Sequence, residues 1–198
     1  MQRILVALSA AIFQGISPAV QAGDDASILN NEIEIRAFHN GDPTARGYFE
    51  KAITESIAVN VTVFASHGWE QITVGPTYYL TPEMSVGLNV GTSSYQASNQ
   101  TAKSAHGTIS AFWFWKSAIW EGEVLVERYR RDPQPWYREG YIQKRLGNDL
   151  SMGIFAQTDS GWGPRLSYKI SRNADVWVSP LLKKTGDSKA ILGAKLTF

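Results

Sequence analysis

The chain of 198 residues contains no cysteine. For an exported protein, that single absence removes disulfides, thiolate metal centres and thiol nucleophiles together. Long apolar runs are scarce as well. Beyond the N-terminal segment, no uninterrupted stretch approaches the roughly 20 residues that a helix needs to span a bilayer. Neither sign of charge prevails, with 19 Lys plus Arg against 18 Asp plus Glu. Binding to nucleic acid calls for a basic face, so this balance argues against such a partner. Imidazole is limited to His39, His67 and His106. No His pair or carboxylate cluster has metal-ligand spacing, so neither a metal nor a cofactor is expected.

The first residues have the layout of a cleavable leader. Met1-Gln2-Arg3 is cationic, Ile4 to Phe13 is apolar, Pro18 interrupts any helix, and Val20-Gln21-Ala22 supplies small residues before Gly23-Asp24-Asp25. This pattern predicts a secretory signal peptide over residues 1–22, with cleavage after Ala22. A membrane-anchoring helix is the alternative, but the apolar run is about half the length required. The remaining residues 23–198 match one domain. Removing the leader takes away Arg3 and no anion, so 18 cations face 18 anions.

What the chain does have is alternation. From Lys189 to Phe198, one face reads Ala190, Leu192, Ala194, Leu196 and Phe198, and the other Lys189, Ile191, Gly193, Lys195 and Thr197. Period two is the signature of a pleated strand with one apolar face. Counting backwards, strands are predicted at 189–198, 175–183, 162–170, 150–158, 136–146, 119–130, 105–115, 84–96, 69–80, 56–67, 46–54 and 31–39. Met84/Val86/Leu88/Val90 and Ile57/Val59/Val61/Val63 form clean apolar faces, whereas Ser85/Gly87/Asn89/Gly91 is small and polar. The least regular segments are 46–54, blurred by Glu50 and Lys51, and 136–146; without them ten strands remain.

Repeated segments of about ten residues, apolar outward and polar inward, resemble bacterial outer-membrane β-barrels. The ending on Phe198 is similar to the last strand of that class, where a terminal Phe sits at the periplasmic rim as an assembly signal. The resemblance implies an all-β, antiparallel up-and-down transmembrane barrel of twelve strands in the outer membrane of a Gram-negative bacterium. It also implies two partners: outer-membrane lipid, and the barrel assembly machinery engaged through the Phe198 strand. With the last strand running downward, the turns around Pro82, Ser117, Gly147 and Asn173 become periplasmic. Asn40–Ala45, Ala97–Ser104, Arg131–Pro135, Asp159–Gly161 and Lys184–Ser188 become outer loops.

Aromatic residues fall into two bands under this topology. Trp69, Trp136 and Trp162 open strands at the outer end, while Trp113, Trp115, Trp120 and Phe198 lie at the inner end. Such rings favour the two membrane–water boundaries. The inward parity collects Glu34, Arg36, Glu121, Glu123, Glu127, Glu139, Arg145, Arg165, Lys169 and Lys195, the candidates for a pore lining. Acidic residues concentrate in the middle of the chain and basic ones near its end and the seam. A water-filled lumen of this kind would be a porin-like passive channel for small polar solutes. A non-conducting barrel with an ion-paired interior is the alternative. An outer-membrane lipid hydrolase is a second alternative: His106, Thr108 and Ser110 share a face, but His106 and Ser110 lie about 13 Å apart along a strand. No catalytic residue is therefore assigned.

Overall fold

Alternation of this kind has one way to satisfy every backbone group in lipid, which is closure of the sheet on itself. The computed structural model describes residues 31–39, 41–95, 104–130, 136–183 and 189–198, and they form a closed antiparallel barrel of twelve strands. The strands are β1 Glu32–Phe38, β2 Thr44–Ala52, β3 Ile57–Ser66, β4 Trp69–Thr81, β5 Met84–Tyr95 and β6 Ser104–Lys116. They continue as β7 Trp120–Tyr129, β8 Trp136–Arg145, β9 Leu150–Gln157, β10 Gly161–Ser171, β11 Ala174–Leu181 and β12 Lys189–Thr197. The ten-strand alternative is thereby set aside; the irregular segment around Glu50 is β2, paired with β3 from Ala45 to Ala52 and with β1 from Thr44 to Tyr48. The leader expected at residues 1–22 lies outside the described residues, as do 96–103, 131–135 and 184–188.

Closure occurs where the two ends of the chain meet. β1 pairs with β12 from Glu32↔Thr197 to Phe38↔Ile191, and the Phe198 amide donates to the Asn31 carbonyl at 3.0 Å. Asn31 and Phe198 thus share one end with the short turns at 53–56, 82–83, 117–119, 146–149 and 172–173. By the short-turn asymmetry of outer-membrane barrels, this is the periplasmic end. At the opposite end β3 and β4 are joined by His67-Gly68 alone, where Gly68 adopts a φ of 77°, a conformation that costs glycine little.

The two faces differ as period two demands. Ile35, Val59, Ile72, Val74, Leu88, Val90, Ile109, Val124, Met152, Ile154, Leu166, Leu192 and Leu196 are exposed on the outer wall. Glu34, Arg36, Asn60, Gln71, Thr73, Asn89, Ser110, Glu127, Glu139, Gln143 and Arg165 are buried inside. An exposed apolar belt about a buried polar interior inverts the soluble pattern and suits a protein solvated by hydrocarbon. Among the described residues no helix is long and apolar enough to cross a membrane.

Candidate functional site: the charged lumen

Inward-facing side chains divide the lumen into two sectors. On β3 to β6, apart from His106 and Lys116 at the two ends of β6, the lining is mainly amide, hydroxyl, glycine and aromatic. Asn60 Nδ2 donates to Thr77 Oγ1 at 3.0 Å and to Asn89 Oδ1 at 3.0 Å, and Asn89 Nδ2 returns a bond to Asn60 Oδ1 at 2.6 Å. Thr108 Oγ1 donates to Ser93 Oγ at 3.1 Å. Glycine makes room for the rings here: a Cβ on Gly87 would lie 2.1 Å from Phe112, whose edge meets Tyr48 at a 5.6 Å centroid separation.

The other sector, β7 to β12 and on through β1 and β2, carries the charge. Arg36 on β1 reaches across the lumen to Glu139 on β8 with two parallel bonds of 2.6 Å, Nη1 to Oε2 and Nη2 to Oε1. Its Nε donates to Glu34 Oε2 at 2.8 Å, and Trp177 Nε1 donates to Glu34 Oε1 at 2.8 Å. Arg46 Nη1 pairs with Glu123 at 2.8 Å, and its Nη2 lies 3.3 Å from Glu32. Fork-on-carboxylate geometry of this kind is the strong form of ion pair. Arg165 has a different environment, stacked between Trp177 at 4.0 Å and Tyr141 at 4.2 Å. Guanidinium planes suit such faces better than ammonium groups do. Trp177 in turn lies over Gly193, where a Cβ would come within 2.2 Å of the indole.

Nine of the ten candidate lining residues fall within this charged interior: Glu34, Arg36, Glu121, Glu123, Glu127, Glu139, Arg145, Arg165 and Lys195. Lys169 keeps the inward parity opposite Asp175 but is exposed at the periplasmic rim. The basic seam and the acidic middle strands are in contact, so their charges compensate pairwise. Exposure grades with depth: the side chains of Arg36 and Glu139 retain 7% and 6%, whereas Arg145 retains 35%. At that end Arg145 lies 3.7 Å from Glu121, and Lys195 lies 3.6 Å from Glu32. These form a charged vestibule open to the periplasmic side. Glu127 and Glu50 instead lie among neutral donors, Gln71 and Tyr129 for the first, Tyr48 and Tyr79 for the second.

Sequence parity placed Tyr141 inward beside Glu139 but did not bring forward Arg46, Glu50, Phe155 or Trp177. Arg46 and Glu50 belong to the irregular β2. Trp177 was legible in principle, because Val176 and Val178 mark the outward parity of β11 and leave Trp177 inward.

Of the interface aromatics, Trp113, Trp120, Trp136, Trp162 and Phe198 are exposed on the outer wall. Trp115 lies on the same face over Gly122 and stacks on Trp113 at 5.2 Å. Trp69 departs from the expected outer band. It shares the inward parity of Gln71 and Thr73 and packs edge-on against buried Tyr129 at 4.9 Å. Its position at a strand end gave the correct depth, but its parity sets the face.

Among the described residues, the hydrolase alternative finds no assembled dyad. His106 Nδ1 lies 3.0 Å from the Arg130 carbonyl oxygen, a backbone contact at the outer end. Among the described residues, no group of three His, Asp or Glu is placed to hold a metal ion.

A closed twelve-strand barrel with an apolar exterior, boundary aromatics and a charged interior defines an outer-membrane β-barrel of porin-like architecture. No protein-family model matches the sequence, and no curated protein is similar to it in sequence. Solved structures of outer-membrane barrels share the fold. The KdgM porin aligns with a TM-score of 0.52 at 12% identity, over 86% of this chain and 99% of that one. The KdgM porin in complex with disordered oligogalacturonate gives 0.53 at 12%, with the same coverage of 86% and 99%. Outer membrane phospholipase A from Escherichia coli gives 0.54 at 10%, over 89% and 94%. At these identities the likeness is one of fold.

Proposed function

We propose that this barrel is a passive, low-conductance channel for small ions and polar solutes. The observation that carries this reading is the lumen itself: charged and polar groups run from the periplasmic vestibule at Lys195, Glu32 and Glu121 up to Gln71 and Glu127. An interior built only to hold the barrel together could be apolar, because buried ion pairs are often no more stabilising than packed hydrocarbon. Paired charges of both signs favour neutral or small solutes over one sign of ion, and the constriction at Arg36–Glu139 sets the size limit. The ten candidates named from the sequence act as the lining, with Arg46 added to them.

A specific observation favours a second reading. Asn60 and Thr77 are 0% exposed and Asn89 is 1% exposed, so the middle of the barrel is filled, as a non-conducting ion-paired barrel would be. Planar bilayers separate the two. The channel reading predicts small, discrete conductance steps, and Glu121→Gln with Glu123→Gln should shift ion selectivity toward anions. Silent bilayers with heat-modifiable, folded protein would overturn it in favour of the ion-paired barrel.

Export through the 1–22 leader and assembly through the Phe198 strand complete the proposal. The supporting features are the cationic-apolar-small layout of the leader and the outward position of Phe198 against Phe49, 6.3 Å between ring centroids.

A further inference from the structure

The outer wall carries an arrangement that the lumen does not explain. Cations facing lipid are costly unless they reach the boundary. At the outer ends of β7 and β8 the outward positions are nonetheless Arg128, Arg130 and Arg138, all exposed. Register sets Arg128 opposite Trp136 and Arg138 opposite Val126. The two arginines are therefore diagonal neighbours on one face, with backbones roughly 7–8 Å apart. Arg130 lies two positions beyond Arg128; its amide donates to the Gly107 carbonyl at 2.8 Å. Its Cβ stands beside that glycine, where an added Cβ would lie 3.9 Å away, so no neighbouring side chain covers it from β6.

The surroundings define the chemistry. Arg128 stacks on the Trp136 ring at 5.4 Å, at the level where indoles mark the membrane boundary. Below the arginines the same face turns apolar through Val126, Ile109, Val124 and Ile142. Among the described residues, no carboxylate faces outward on β6 to β9, and none of the three arginines makes an ion pair. Elsewhere the outward positions of the outer rim include Glu70 on β4 and the uncharged Ala45, Ala65, Thr92, Ala156 and Ala190. The outward cations of this rim, among the described residues, thus belong to one hairpin.

We propose that the β7–β8 face binds the phosphate of a phosphorylated glycolipid in the outer leaflet. Guanidinium forks match phosphate oxygens bidentately, and Arg128, Arg130 and Arg138 converge on the headgroup depth. A lipid is favoured over a free anion because the patch runs directly into an apolar band that only acyl chains would cover. The site is independent of whether the lumen conducts.

Folded barrel in detergent micelles, titrated with diphosphoryl lipid A and read by native mass spectrometry, tests the site. Replacing Arg128, Arg130 and Arg138 together by Gln should weaken binding by about tenfold or more. Lys144→Gln, at an outward cation on the opposite end of β8, should leave it unchanged. Fully dephosphorylated lipid A should bind weakly to the wild type. Equal affinity of wild type and triple variant, or of phosphorylated and dephosphorylated lipid, overturns the proposal. Displacement by equimolar inorganic phosphate overturns it too, by reassigning the arginines to a free anion. If the triple variant does not fold, Arg138→Gln alone, at an exposed position, should still show a severalfold loss.

Discussion

Two sectors of one lumen solve the same problem with different chemistry. Along β3 to β6, buried Asn60, Asn89, Thr73 and Thr77 share neutral hydrogen bonds, and most donors have a second partner. Along β7 to β2, Arg36, Arg46, Arg145 and Lys195 lean on particular carboxylates, with Arg36 serving both Glu34 on its own strand and Glu139 across the lumen. Neutral networks tolerate the loss of one member because the others re-pair. A buried ion pair does not, since removing one partner leaves the other charged and desolvated. The charged sector therefore sets both the integrity and the bore of the barrel, while the neutral sector mainly fills it.

The largest test of that contrast is Arg36→Ala. It strands Glu34 and Glu139 together and should cost about 3–5 kcal/mol, read as a lower urea midpoint of the heat-modifiable band. Trp177→Phe comes next. It removes the indole donor to Glu34 and should cost roughly 1.5–3 kcal/mol, as for hydrogen bonds to charged groups. In the neutral sector, Thr77→Val deletes one hydroxyl while Asn60 keeps Gly75 and Asn89, so about 1 kcal/mol is expected. Glu127→Gln should have the smallest effect, under about 1 kcal/mol, because Gln71 can keep donating to the amide oxygen while the Tyr129 hydroxyl turns to accept from the new NH2 group. If Glu127→Gln cost as much as Arg36→Ala, the division into sectors would be wrong.

Strand count, topology and the seam were legible in the sequence because period two survives on nearly every strand. Predicted boundaries such as 84–96 and 150–158 differ from β5 and β9 by a single residue. Parity likewise placed Glu121, Glu123, Glu139 and Arg165 inside. What parity does not carry is distance across the lumen. Arg36 and Glu139 are 103 positions apart, and only the curvature of the closed wall brings them into contact. The aromatic cage around Arg165 was hidden for the same reason, since Tyr141, Phe155 and Trp177 come from β8, β9 and β11. Trp69 shows the converse, where depth was read correctly and face was not.

The decisive measurement is the conductance of the Arg36→Ala, Glu139→Ala double variant against wild type in planar bilayers. Removing both partners opens the constriction at once and leaves only Glu34 without its cation, still held by the Trp177 indole N–H. Wild type should give small discrete steps and the double variant clearly larger ones, at matched insertion. Folded protein that is silent in both forms, or steps of unchanged size, would contradict a lumen governed by this ion pair.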